Sequence, residues 1–330
     1  MGRFFYDSMG RKEDVIKALQ HGNLLSLSES FYKEWLDRFV VERIHFEKGG
    51  GGRGDITTQL TSLGEKQCFG KILSKADGVS AGIDETSYIF ERFGIKVFER
   101  IGDGVKIHPG TSLIKVEGSA STMLFLERMV LDIVQRMCGI ATLTSSVLDE
   151  VKGRVFVAAT RKTPLGYLDK KAVFCGGGLS HRLGLWDGIL LKDNHLSLLG
   201  KEHLKRGFHD FIAKAISEIG KVPSRFIEVE VNSGEQAIFA ASELGQVKDK
   251  LPIPALLLLD NIPPESLKCI VRLLREKGFY QGLLLEASGG IIQTNVADYA
   301  GCGIDVVSLG ELTHSPKAID VCLEVSCTPE

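Results

Sequence analysis

The chain has 330 residues, 44% of them apolar and 25% charged, with a formal net charge of −2. That length suits two domains better than one, and the composition carries no signature of disorder. The near-neutral balance excludes binding to nucleic acid by bulk charge, so any anion site must come from local clustering of Lys and Arg. Seven cysteines, Cys68, Cys138, Cys175, Cys269, Cys302, Cys322 and Cys327, form no CxxC pair. That argues against a zinc knuckle or a disulfide framework and for a reduced, cytoplasmic setting. The opening MGRFFYDSMGRKEDV has no apolar core of signal-peptide length, and no segment reaches the roughly 18 apolar residues of a membrane span.

Residues 10–46 read as helical, with polar interruptions at Gly22 and Asn23; Trp35, Phe39, Val40 and Ile44 fall near helical spacing. The run Lys48 to Gly54 ends that segment. It could cradle a phosphate, but no GK[ST] follows, and a flexible loop is the better reading. From 66 to 118, short apolar runs broken by Gly and Asp suggest small twisted sheets. Residues 119–150 return to a long, strongly apolar helix. From 154 onward an apolar run ending in a polar or glycine-rich tip occurs six times: RVFVAATRKT (154–163), GILLKDNH (188–195), FIEVEV (226–231), ALLLLDN (255–261), GLLLEASGG (282–290) and IDVVSLGE (304–311). Helix-like sequence separates most copies. Continuous apolar strands alternating with helices predict a covered parallel sheet, here an incomplete, six-stranded α/β barrel. Its active site is expected at the carboxyl ends of the strands.

Those ends carry the chemistry. Arg161, Lys162, His181, Arg182 and Lys192 are cations or potential cations gathered at one mouth. Like charges held together repel unless an anion binds among them, and Arg161 and Arg182 suit bidentate recognition of carboxylate or phosphate. Glu230 and Asp260 end the next two strands, where they either hold a metal ion or sugar hydroxyls or pair with the cations. Glu228 shares a face with Glu230, but Glu230 lies nearer the tip and is preferred. Ser288, Gly289, Gly290 and Gly310 end the last two strands, the usual phosphate position of a barrel.

The stretches GRGDITT (52–58), ERMVLDIVQRMCGIAT (127–142), TRKT (160–163), GGGLSHRLGL (176–185), LLKDNH (190–195), IEVEV (227–231), LLLDN (257–261), EASGGI (286–291) and DVVSLGELTHS (305–315) resemble the quinolinate phosphoribosyltransferase family over about residues 34–325. The resemblance implies an N-terminal α/β open-faced sandwich domain at 34–125, joined by the tail 312–330. It then implies an α/β barrel of the type II phosphoribosyltransferase kind at 126–311, and leaves 1–33 as an extension expected to be dispensable for chemistry. It implies transfer of a phosphoribosyl group from phosphoribosyl pyrophosphate to quinolinate with decarboxylation, giving nicotinate mononucleotide for NAD biosynthesis. Arg128, Arg161, Lys162, His181, Arg182, Lys192, Glu230 and Asp260 would bind substrate. Lys162, Lys192, Glu230 and Asp260 would be catalytic, Glu230 and Asp260 meeting the magnesium ion brought by phosphoribosyl pyrophosphate. Ser288, Gly289, Gly290 and Gly310 would bind the 5′-phosphate. No organic cofactor, nucleic acid or membrane is implied. The family pattern implies a homodimer, extendable to a trimer of dimers, in which Arg128 reaches the partner subunit's site.

Three departures stand out. RKTPLGYLDKKAV is about two residues shorter than the family pattern and lacks its second arginine; Ser180 replaces the usual asparagine; the loop before GRGDITT is longer. A paralogue associated with molybdate transport shares the GGGL…HRLGL run, but this chain keeps Lys192-Asp193-Asn194-His195. A barrel Schiff-base lyase using Lys162 or Lys192 is the other alternative. It leaves the two arginines beside two phosphate-type tips unexplained.

Overall fold

The computed structural model describes residues 2–49, 52–61, 63–64, 66–198, 204–219 and 224–328. Gly50 and Gly51 of the glycine run lie outside the described residues. The chain divides into two units. One takes Met1–His21, Ser146–Lys162 and Gly178–His314; the other takes Gly22–Ser145, Thr163–Gly177 and Ser315–Glu330.

The first unit is built on a parallel sheet of six strands: β6 (Phe156–Ala159), β7 (Ile189–Leu191), β8 (Ile227–Val231), β9 (Ala255–Asp260), β10 (Leu284–Ser288) and β11 (Val306–Leu309), in the order β6-β11-β10-β9-β8-β7. Every residue of β8 and β11 is buried, as expected of strands covered on both faces. Among the helices between strands, α10 (Pro264–Glu276) shows why these segments coil. It starts on a proline, places Glu265 in its first turn and Arg275 in its last, and buries Leu267, Ile270, Val271 and Leu274 at helical spacing. This is an incomplete α/β barrel, with β6 and β7 as its edges.

The first helix, α1 (Gly2–Leu19), belongs to this unit. Val15, Ala18 and Leu19 are buried in one cluster with Leu256, Leu284 and Val306, which lie at or near the starts of their strands, and with Ala158, Leu179 and Phe226. The stretch therefore plugs the amino end of the barrel, opposite the tips. Arg11 pairs with Asp305 and donates to the carbonyls of Tyr280 and Leu283. The last turns of α1 are thus core, and removing them would expose apolar surface at about 25 cal/mol per Å2.

The second unit holds an antiparallel sheet of β1 (Gln67–Ser74), β3 (Lys96–Arg100), β5 (Ser112–Ser119) and β12 (Val321–Ser326), ordered β12-β1-β5-β3. β12 comes from the tail and pairs with β1 from Phe69↔Ser326 to Ser74↔Val321. The long α5 (Ala120–Val151) lies mostly in this unit. Met123 packs so closely on the sheet that a Cβ at Gly70 would come within 2.5 Å of its sulfur. The stretch read as purely strand-forming contains a helix, α4 (Ile83–Arg92). Its buried face mixes Ile83, Ile89 and Phe90 with Glu85, Thr86 and Ser87, so the apolar residues alone mark it weakly. Asp84 and Glu85 in the first turn were the available signal.

Candidate active site

The tips of the barrel strands surround a cavity of about 710 Å3 lined by Arg161, Lys162, His181, Arg182, Lys192, Glu230, Asp260, Asn261, Glu286, Ser288, Gly289, Gly290, Gly310, Glu311 and His314, among others. All are barrel residues. Strand alternation explains the set. Glu228 and Glu230 point to one side of β8, and Glu286 and Ser288 to one side of β10. On β9, Leu258 pairs with both Glu230 and Glu286, and Asp260 pairs with Ser288. Glu230 and Asp260 thus face the same side from neighbouring strands, one pleat apart.

The tips are interlocked. Lys192 Nζ donates to Glu230 Oε2 at 2.9 Å. Asn261 takes a left-handed φ of 55° and donates its amide to Asp260 Oδ2 at 2.6 Å, while its backbone N–H reaches Ser288 O at 2.9 Å. Gly289 (φ 85°) and Gly290 (φ 65°) follow in succession. A Cβ on Gly289 would lie 2.7 Å from the Asn261 backbone nitrogen, so that left-handed position requires glycine; one on Gly310 would lie 2.9 Å from Lys162 Cδ, a close approach of the Lys162 side chain to the tip. Thr313 Oγ1 donates to Lys162 O at 2.7 Å, tying the β11 tip to the β6 tip. The helices after these two tips, α11 (Val296–Tyr299) and α12 (Glu311–His314), have four residues each. Any anion there meets loop backbone rather than a substantial helix dipole.

Below the mouth, His181 is buried with φ 52°, its ring edge-on to Phe226. Its Nε2 lies 3.4 Å from Glu228 and 3.2 Å from Glu286. Burial opposes charge on the ring, but the carboxylates of Glu286 and Glu228 outweigh it and push its pKa up to about 9. Nδ1 accepts the Arg182 N–H at 2.7 Å. A doubly protonated ring could not accept there, so this bond limits the upward shift and keeps a proton on Nε2. Burial, then Glu286, pushes Glu228 up to about 7. The three ligand atoms lie within 4.8 Å of one another, a spacing that a cation could bridge; the proton kept on Nε2 faces both carboxylates there. Arg182 is held below its ordinary pKa by burial and then by neighbouring Arg161.

The structure therefore brings together Arg161, Lys162, His181, Arg182, Lys192, Glu230, Asp260, Ser288, Gly289, Gly290 and Gly310. Arg128, on α5, is not among the residues that line the cavity. It is 62% exposed, with Asp132 at 3.9 Å. Sequence reasoning passed over Glu286, Asn261, Glu311 and His314. Glu286 carried a signal, being a charge inside an apolar strand two residues before Ser288. Asn261 carried none that separates it from an ordinary turn residue.

A parallel α/β barrel that sets cations, carboxylates and glycine tips around one mouth is the arrangement of an anion-handling barrel enzyme. The comparisons narrow that class. Residues 55–138 match the N-terminal domain, and residues 140–324 the C-terminal domain, of quinolinate phosphoribosyl transferase. A probable nicotinate-nucleotide pyrophosphorylase [carboxylating] of Archaeoglobus fulgidus is 35% identical, covering 81% of this chain and 97% of that one. A nicotinate-nucleotide pyrophosphorylase [carboxylating] of Mycobacterium leprae is 36% identical, covering 82% and 91%. The solved nicotinate-nucleotide pyrophosphorylase of Ehrlichia chaffeensis superposes with a TM-score of 0.71 at 29% identity over 88% of this chain and 98% of that one. The chain belongs to the quinolinate phosphoribosyltransferase family. Among the described residues, no helix is long and apolar enough to cross a membrane.

Proposed function

We propose that the chain transfers the phosphoribosyl group of phosphoribosyl pyrophosphate to quinolinate, releasing pyrophosphate and carbon dioxide and leaving nicotinate mononucleotide. The observation that carries this reading is the single cavity that joins Arg161, His181, Arg182 and Lys192 to the glycine tips Gly289, Gly290 and Gly310. The cations suit a planar dicarboxylate, and the glycine tips suit a 5′-phosphate.

The bond from ribose C1 to pyrophosphate breaks as the pyridine nitrogen bonds to C1, and positive charge develops on the sugar. The barrel supplies rate by holding nitrogen and C1 in line. Lys162 and Lys192 offset charge on the anions. Glu230 and Asp260, with oxygens facing one side of adjacent strands, fit a hard divalent cation. They would hold the magnesium ion that accompanies phosphoribosyl pyrophosphate, which supplies charge neutralisation on the leaving group. Once ribosylated, the ring nitrogen is cationic. It stabilises the electron pair left on the neighbouring carbon when carbon dioxide departs, and a proton then takes the vacated position. No organic cofactor is needed, and the reading places the enzyme in the cytosol.

The test is quinolinate consumption with phosphoribosyl pyrophosphate and magnesium. Quinolinate should turn over far faster than nicotinate; equal turnover, or none, removes the reading. We propose further that the enzyme is a homodimer in which Arg128 completes the partner's site, supported by its exposure and its long 3.9 Å pairing with Asp132. Arg128→Ala and Lys162→Ala homodimers should both be nearly inactive. Mixing them should recover activity, because one site of each heterodimer receives both faults and the other none. Confirmed heterodimers without recovery would place Arg128 outside a shared site.

A further inference from the structure

The segment that carries His181 and Arg182 has no strand of its own. Leu179 makes a single parallel bridge to Ala158, and the chain then turns through the left-handed φ of 52° at His181. Such a residue is strained and persists only where its surroundings impose it. What imposes it is the end of α1 and the two residues that follow. Gln20 Nε2 donates to Gly178 O at 3.2 Å, and Leu19 O accepts the His181 N–H at 2.9 Å. Ser180 Oγ accepts the His21 N–H at 2.8 Å and donates to Leu19 O at 3.3 Å. The imidazole of His21, fully buried, meets Asp187 Oδ2 at 2.5 Å through Nδ1. Since a carboxylate only accepts, Nδ1 carries the proton. The same Asp187 oxygen accepts the Leu183 N–H at 2.8 Å, and its other oxygen takes Arg225 Nε at 3.2 Å. Residues 19–21 therefore bond both ends of the segment 178–187. Neither His21 nor Ser180 lines the cavity.

We propose that His21 and Ser180 are positioning residues for the substrate cations, acting through the backbone of His181 and Arg182. This rests on reading the cavity as the quinolinate site. A guanidinium grips a carboxylate bidentately only when aimed correctly. Loosening this segment therefore weakens quinolinate binding, while the phosphate tips on β10 and β11 keep theirs. The stretch expected to be dispensable for chemistry is, on this account, part of what makes the site selective.

The experiment compares His21→Ala, His21→Asn and Ser180→Ala with the unaltered chain. KM is measured for each substrate, amide hydrogen exchange is followed across 178–187, and thermal unfolding is recorded. The asparagine amide stands where Nδ1 stood and serves as the conservative rescue. His21→Ala should raise the quinolinate KM about tenfold and leave the phosphoribosyl pyrophosphate KM nearly unchanged. It should also speed exchange across 178–187, and His21→Asn should reverse most of both effects. Exchange and both KM values unchanged in a folded His21→Ala protein would overturn the proposal, as would equal rises in the two KM values. If His21→Ala does not fold, Ser180→Ala, which keeps the buried helix intact, is read by the same criteria. Exchange needs no substrate. If the unaltered chain ignores quinolinate, faster exchange in the variants keeps the latch while the substrate assignment falls.

Discussion

Two buried groups of charges, one in each unit, use the same ingredients to different ends. In the sandwich unit, Lys171 lies 2.7 Å from Glu85, 3.4 Å from Asp84 and 3.6 Å from Asp103, and Tyr32 donates to Glu85 at 2.7 Å. Burial opposes the charge on Lys171, but Glu85 and Asp103 outweigh it, and its pKa rises above the ordinary lysine value. At the barrel mouth, burial of Arg182 and its neighbour Arg161 act in the same direction, and its pKa falls. Both cations sit among carboxylates, so burial and charge count do not tell them apart. The balance of effects does: carboxylates outweigh burial at Lys171, whereas burial and Arg161 outweigh the pull of Glu228, Glu230 and Asp187 at Arg182. On the proposed reading, an anion that enters redresses that balance at Arg182.

The comparison breaks most visibly at Lys171. Removing one member of a buried pair leaves the other uncompensated, at about 3–5 kcal/mol. Lys171→Met should therefore lower stability by that order in urea unfolding, while the folded fraction keeps its KM for both substrates. A variant that unfolds normally but loses quinolinate affinity would show that the sandwich network serves the site.

Arg161→Ala and Arg182→Ala should behave in the opposite way. Each removes a charged hydrogen bond to an anion, worth about 1.5–3 kcal/mol of quinolinate binding by calorimetry. Phosphoribosyl pyrophosphate affinity should change less, and stability should hold or rise as the like-charge contact is relieved. Unchanged quinolinate affinity in both variants would remove the pair from that role.

The contrast also explains what could be read from the sequence. All six barrel strands were visible, because strands covered on both faces are continuous apolar runs, and their tips followed at once. α4 is harder to see, because its short buried face mixes apolar with polar residues. The sandwich network was hidden because Lys171 lies more than 60 positions along the chain from Asp84, Glu85 and Asp103. Glu228 was recognised as sharing a face with Glu230 but set aside as too deep. Depth is what places it against His181, and the partner there, Glu286, comes from a strand two positions away in the sheet. The bonding of residues 19–21 to 178–187 was illegible for the same reason. It joins a helix end to a loop more than 150 positions later.

The smallest expected effect sharpens the comparison by titration. Burial, then the charge of Glu85, pushes Asp103 from 3.8 up to about 6. A folded-state pKa above the unfolded value means that the native state binds more protons in that interval. Asp103 therefore contributes stability that is fully present below about pH 3.8 and is lost as pH rises through about 6. Burial pushes Asp84 up, but the bond from Arg100 and the charge of Lys171 together outweigh it and hold it low, so Asp84 contributes in the opposite sense. The total profile mixes the two, and Asp103→Asn separates them. Asparagine keeps an oxygen for the Ile83 N–H, which Asp103 Oδ1 accepts at 2.9 Å. Relative to the unaltered chain, its stability should therefore climb between about pH 4 and 6 and stay level above that. Urea midpoints across that range measure the difference directly. A flat difference would mean that Asp103 is already ionised at the lower end, held by Lys171 rather than against Glu85. The sandwich network would then be a fully charged cluster, and its contrast with the barrel mouth would be sharper still.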